Sequence, residues 1–184
     1  MGCTGVFGSA FNPPTRGHLD VLVQAAPFFD KIFILPSVAH AFYKEVLTLE
    51  KRLALLDAFL IDAADVPCEL EISLIEKELW DAAPEQPVYT WTVLNTLSER
   101  EPDTEFTFIR GPDNAAPETW QRFYRYQDIE QRWPIFTAKE SVNIRSTPVR
   151  NALNRPQPDM QQLQKWLTPS VMTLILDQRL YCST

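Results

Sequence analysis

Five short apolar runs recur along the chain, and the stretches between them carry helical spacing. The runs are Cys3 to Gly8, Lys31 to Pro36, Cys68 to Ser73, Glu105 to Arg110 and Trp133 to Ala138. Each has the length of a strand, and Pro36 and Gly111 punctuate two of them. Leu19, Leu22, Val23 and Ala26 fall at three-four spacing between residues 15 and 28, which predicts one buried helical face. Further helices are predicted over 49–64, 89–101 and 119–131, then a short one from Thr147 and a last one over 169–179. Strands that alternate with helices bury both faces of a parallel sheet. The expected class is therefore α/β: a Rossmann-like, doubly wound sheet of about five strands with a small C-terminal helical tail. Pro156 and Pro158 mark a spacer. Residues 1–150 are read as the sheet domain and 151–184 as a helical extension of it.

Ligands of such sheets bind beyond the carboxyl ends of the strands. The loops after Gly8, Leu35, Ser73, Arg110 and Ala138 should then line the site. Charge narrows what could bind. The net charge is −7, with 17 Lys and Arg among 184 residues. Such a chain repels polymeric nucleic acid and anionic lipid at long range, yet a few converging cations can still hold a small phosphorylated ligand. The three cysteines, Cys3, Cys68 and Cys182, form no CxxC pair and point to neither a disulfide framework nor a zinc site. No apolar run reaches membrane-spanning length, and Met1 to Thr4 lacks the basic and apolar regions of a signal peptide. The expectation is a cytoplasmic protein.

Two loop-to-helix junctions carry the chemistry. Neither GxGxxG nor GxxxxGK[ST] occurs. After the first strand comes Gly8-Ser9-Ala10-Phe11-Asn12-Pro13-Pro14-Thr15-Arg16-Gly17-His18. Small residues at 8 to 10 let the backbone approach a ligand, and Phe11 is expected to brace this loop from below. Thr15 is a good N-cap, which puts His18 at the third helical position, leaning back toward the strand ends. The free N–H groups and dipole of that helix start make an anion site. The second junction is Asn143-Ile144-Arg145-Ser146-Thr147-Pro148-Val149-Arg150. Pro148 belongs in a first helical turn, so Ser146 or Thr147 is expected to cap. Arg145 and Arg150 then flank a helix start, where each cation opposes the dipole by about 0.3–1 kcal/mol. A bound phosphate reverses that sign.

GSAFNPPTRGH resembles the (H/T)xGH signature of the nucleotidyltransferase superfamily, and IRSTPVR resembles its ISSTxxR signature. Weaker matches follow in order along nearly the whole chain, and they resemble nicotinate/nicotinamide mononucleotide adenylyltransferases. They are Leu35-Pro36 with His40 to Lys44, Leu49 to Arg52, Tyr89 to Leu94, Gly111-Pro112-Asp113 with Trp120, and Leu167 to Tyr181. Departures are Thr15 for a frequent His, Arg145 for a Ser, and Thr92-Val93 for a frequent Asp-Thr.

The resemblance implies transfer of the adenylyl group of ATP to nicotinate or nicotinamide mononucleotide, with release of pyrophosphate and formation of an NAD-type dinucleotide. It implies His18 and Arg150 as catalytic residues. Ser9, Ala10, Phe11, Thr15, Gly111, Asp113, Ser146 and Thr147 would hold ATP, with Asp113 accepting from ribose hydroxyls. Lys44 would hold the mononucleotide phosphate, and Tyr89, Trp91, Thr92 and Trp120 its pyridine ring. Mg²⁺ would be carried by phosphate oxygens and water, with no protein ligand. The partners implied are these two small molecules, with no nucleic-acid polymer and no membrane; a homo-oligomer is allowed. Two other readings stay open: a phosphopantetheine or similar small-phosphate nucleotidyltransferase, and a non-catalytic nucleotide sensor on the same fold. Glu76 and Glu78 read as a solvated charged face.

Overall fold

A computed structural model describes residues 2–38 and 46–182. Five parallel strands form one sheet in the order β3-β2-β1-β4-β5. They are β1 Cys3–Ser9, β2 Lys31–Pro36, β3 Glu69–Ile72, β4 Glu105–Arg110 and β5 Ile135–Thr137. The Rossmann-like α/β class read from the alternation is the class observed. Side chains alternate across a strand, so each strand feeds two cores. Phe7, Ile32, Ile34 and Ile109 enter one, with Leu22 of α1 (Arg16–Ala25) and Leu55, Leu56 and Phe59 of α2 (Leu49–Asp62). Val6, Phe33, Leu35, Phe106 and Phe108 enter the other, on the opposite face. There they meet Val93, Leu94 and Leu97 of α4 (Thr90–Arg100).

Three local expectations are corrected. The 119–131 segment is two short helices, α5 Pro117–Trp120 and α6 Tyr126–Arg132. Arg125 between them adopts φ 55, which no right-handed helix can pass through. A helix not expected, α3 Ile75–Ala82, follows β3 and buries Ile75. The stretch after the proline spacer holds α8 Met160–Trp166, capped by the Asp159 carboxylate on the N–H groups of Gln161 and Gln162. Next comes α9 Pro169–Asp177, whose Val171 and Ile175 lie in the same core as α2. The Asp62 carboxylate at the end of α2 accepts from both the backbone N–H and the hydroxyl of Ser170, fixing the entry of α9. Among the described residues, no helix is long and apolar enough to cross a membrane.

The strand order reverses between β1 and β4, and a crevice opens beyond their carboxyl ends. Two helices begin at its mouth: α1, and α7 Ser146–Leu153.

Candidate active site

A cavity of about 860 Å³ occupies this crevice. Its walls come from both junctions and from the turn after β4. Ser9, Ala10 and His18 form one side, Ser146, Thr147 and Arg150 a second, and Gly111 and Asp113 a third.

The first junction is a capping box. Thr15 adopts an extended backbone at the N-cap and its hydroxyl accepts from the Gly17 N–H at 3.2 Å. His18, at N3, replies in the way a Glu or Gln usually does. Its Nδ1 lies 3.0 Å from the Thr15 backbone N–H. A backbone N–H can only donate, so Nδ1 accepts, and the neutral ring carries its proton on Nε2. Nε2 faces the cavity, 3.1 Å from the Ser9 hydroxyl. The ring packs on Phe11 at 4.8 Å and Phe7 at 6.2 Å. Burial, and then the charge of Arg145, lower the His18 pKa to about 4. The imidazole is therefore a neutral N–H donor near pH 7. Thr15 is fully buried and does not line the cavity, which it meets only by way of the His18 ring.

Phe11 is also fully buried, edge-on to Phe7 at 5.7 Å. Its φ of 47 is left-handed, a conformation a bulky residue holds only where its surroundings over-determine it. Burial of its ring supplies that constraint and leaves the backbone from Ser9 to Asn12 bent around the crevice.

The second junction differs from expectation in one residue. Arg145, not Ser146 or Thr147, is the N-cap of α7 (φ −120, ψ 152), and no side chain caps the helix. Ser146 and Thr147 are instead its first two residues, and Pro148 its third, within the proline-tolerant first turn. The Ser146 hydroxyl donates to the Pro13 carbonyl at 2.8 Å. Arg150 donates to the Asn12 carbonyl at 2.9 Å and to the Thr147 hydroxyl, one helical turn earlier, at 3.1 Å. The two junctions also touch through Gly17, where an added Cβ would lie 2.4 Å from the Ile144 carbonyl oxygen. Glycine is what allows the start of α1 to reach the loop before α7.

Several supports had no motif to announce them. The fully buried Arg52 donates to the Ala10 carbonyl at 2.8 Å and to the Leu47 carbonyl at 3.1 Å, holding the loop after β1 from behind. The Tyr181 hydroxyl donates to the Asn12 side chain at 2.7 Å. Glu76 is not a solvated residue: its carboxylate accepts from the Val38 N–H at 3.2 Å, and burial raises its pKa to about 7. An acid in the first turn of a helix is a common solvated motif, so its spacing gave no warning. Glu78 does lie at the surface, paired with Arg100.

The aromatic segment lies apart from the cavity walls. Tyr89 is the N-cap residue of α4 and stacks on Tyr124 at 4.5 Å. Trp91 meets Trp133 edge-on, and the Arg125 guanidinium covers its ring at 4.0 Å. Thr92 is half-buried on α4, and its carbonyl accepts from the Thr96 hydroxyl. Trp120 is buried between Phe108, Phe123 and the Arg110 guanidinium, with its indole N–H on Glu130. None of these four lines the cavity. Lys44 lies outside the described residues.

Comparison with known proteins gives a consistent family. A family model described as cytidylyltransferase-like matches residues 6–152. A Geobacillus thermodenitrificans protein described as a probable nicotinate-nucleotide adenylyltransferase is 35% identical, over 97% of this chain and 85% of its own. A Myxococcus xanthus protein with the same description is 32% identical over 68% of this chain, and the match spans 64% of that protein's length. A crystal structure from Vibrio parahaemolyticus, provisionally described as a nicotinate-nucleotide adenylyltransferase, superposes with a TM-score of 0.83. It is 32% identical and covers 100% of this chain and 98% of its own. The nicotinic acid mononucleotide adenylyltransferase of Plasmodium falciparum shares the fold at 16% identity, with a TM-score of 0.70 over 98% of both chains.

Proposed function

The chain belongs to the cytidylyltransferase-like family, among its nicotinate-nucleotide adenylyltransferases, and from that premise we propose that it transfers the adenylyl group of ATP to nicotinate or nicotinamide mononucleotide. The observation that carries this reading is the meeting of two helix starts, with the His18 Nε2–H and the Arg150 guanidinium, on one cavity.

The reaction is an in-line displacement. A 5′-phosphate oxygen of the mononucleotide forms a bond to the α-phosphorus of ATP. The bond from that phosphorus to the α–β bridging oxygen breaks, and pyrophosphate leaves with the electron pair. Such chemistry needs positioning and charge neutralisation, not a covalent intermediate on the protein. His18 donates from Nε2 to phosphate oxygens and stabilises charge moving toward the leaving group. Its box with Thr15 holds the ring in the donating tautomer. Arg150 offers a planar fork to the β- or γ-phosphate. The free N–H groups of Ser146 and Thr147 at the start of α7, and the backbone of Ser9 to Phe11, complete the phosphate cradle. Asp113 accepts from ribose hydroxyls beside Gly111. Among the described residues no cluster of three or more His, Cys, Asp or Glu could hold a metal ion. A Mg²⁺ ion would therefore be carried by phosphate oxygens and water and would supply charge neutralisation on the triphosphate.

The ring of the mononucleotide is assigned to Tyr89, Trp91, Thr92 and Trp120. Tyr89 is 39% exposed and so has surface to offer a ligand, whereas Trp120 would first have to release Arg110. The deciding experiment is incubation with ATP, Mg²⁺ and each mononucleotide in turn. Pyrophosphate release that requires the pyridine mononucleotide supports the reading. Release with phosphopantetheine instead, or ATP binding without any release, overturns it.

A further inference from the structure

One cation on the cavity wall has no part in that mechanism. Arg145 stands where the ISSTxxR signature usually has a small hydroxyl residue, and it occupies the N-cap of α7. A cation there opposes the helix dipole, so something local must hold it. Its Nη2 pairs with the Asp113 carboxylate at 2.5 Å and also with the Glu140 carboxylate. Asp113 lies in the turn that follows β4, and Glu140 in the loop between β5 and α7. One guanidinium thus joins the turn beyond one strand to the loop beyond its neighbour. Asp113 is itself half-exposed, and no other ion pair holds its carboxylate among the described residues.

We propose that Arg145 is a positioning residue for ATP: through its pairs with Asp113 and Glu140 it clasps the Gly111–Asn114 turn against the start of α7, so that the ribose acceptor and the phosphate-binding N–H groups form one prearranged site. The naming of ATP rests on the adenylyltransferase reading; the clasp does not. Preorganisation of this kind strengthens binding by removing the ordering cost that a loose turn would incur on complex formation. It also explains how the chain accommodates an arginine at a position suited to a hydroxyl.

The test is Arg145→Gln, with Arg145→Lys as the conservative variant, assayed in the full chain. Arg145→Gln should raise the Kd for a non-hydrolysable ATP analogue and the KM for ATP about 5- to 10-fold. The kcat and the mononucleotide KM should stay within about threefold, as expected when ground-state binding alone is lost. Arg145→Lys should recover part of the loss, because an ammonium can pair with a carboxylate but lacks the fork. Amide hydrogen exchange over residues 111–114 should quicken in Arg145→Gln, with the β1 amides unchanged. Unchanged exchange in the turn, unchanged ATP affinity, or a loss confined to kcat would each overturn the proposal. If the wild type binds no ATP analogue at all, the adenylyltransferase reading fails, and the exchange data alone uphold or overturn the clasp.

Discussion

The two ends of the proposed site are built on different principles. At the phosphate end, function falls on backbone and cap positions. His18 is aimed by a bond to the N–H of Thr15, three residues away, and Arg150 by bonds to Asn12 and Thr147. At the aromatic end every ring already has a partner: Tyr89 has Tyr124, Trp91 has Arg125 and Trp133, and Trp120 has Phe108, Phe123 and Arg110. A cap fixes direction locally and leaves N–H groups free for a ligand. Aromatic faces attract one another and cations wherever the fold brings them close. On the proposed assignment, phosphate recognition would be preformed, and ring recognition would have to compete with internal stacking.

The largest effect should separate catalysis from capping at His18. His18→Ala should lower kcat about 100-fold or more, since loss of one charge-stabilising donor costs about 2.7–4 kcal/mol. It should also lower Tm slightly, because the Thr15 N–H loses its acceptor. His18→Gln should restore the melting temperature but not the rate, because glutamine completes a capping box yet cannot reproduce the imidazole. Recovery of kcat in His18→Gln would reduce His18 to a structural residue. Arg150→Lys should weaken ATP binding with the fold intact, checked by calorimetry, because a point charge cannot replace a fork.

Next in size is the seam between the two junctions. Gly17→Ala puts a methyl 2.4 Å from the Ile144 carbonyl oxygen, a backbone atom that can move only with its whole loop. A destabilisation of about 1–3 kcal/mol is expected, with a rise in the ATP KM, by analogy with overpacked cores. Thermal denaturation and initial rates read both. A Gly17→Ala enzyme with wild-type Tm and KM would mean that the two junctions need not touch.

The same contrast explains what was legible in the chain itself. Strand and helix alternation, and the third-position placement of His18, follow from local periodicity and one cap. The arginine N-cap of α7 did not, because its carboxylate partners Asp113 and Glu140 come from other elements. The break between α5 and α6 depends on a left-handed Arg125, which no residue preference announces. Helix α8 did leave a trace, Asp159 followed by Leu163 and Leu167 at spacing four, but the neighbouring prolines masked it. The positions of the aromatic rings were least legible, since stacking partners such as Tyr89 and Tyr124 lie 35 residues apart (124 − 89).

A smaller effect tests the aromatic end. Tyr89→Ala should raise the mononucleotide KM about 5- to 150-fold and more than the ATP KM, since stacking on a base is worth roughly 1–3 kcal/mol. Mononucleotide should also quench tryptophan fluorescence in the wild type. If Tyr124→Ala lowers the mononucleotide KM while Tyr89→Ala raises it, internal stacking competes with the ligand, as the comparison requires; an unchanged KM in Tyr124→Ala would mean that it does not. Equal rises in both KM values for Tyr89→Ala would move the ring pocket off this segment.

The smallest effect lies beneath the phosphate end, at Glu76. A Cβ on Gly8 would lie 4.0 Å from its carboxylate, so this acid sits directly below the strand that feeds the phosphate loop. Burial raises its pKa from 4.5 to about 7, against the opposing pull of the Val38 N–H and the Arg52 charge. The folded state thus binds a proton that the unfolded chain has already released between those two values. By linkage, the associated stability is fully present below pH ~4.5 and is lost as pH rises through about 7. Glu76→Gln mimics the protonated form. Its Tm should match the wild type near pH 5 and exceed it at pH 8 by a few degrees, on the order of 1–2 kcal/mol once partial exposure is discounted. The sign is what discriminates. A Glu76→Gln protein less stable than wild type at pH 8 would mean that the ionised carboxylate is a net support of the loop, and that the phosphate end depends on buried charge as well as on caps.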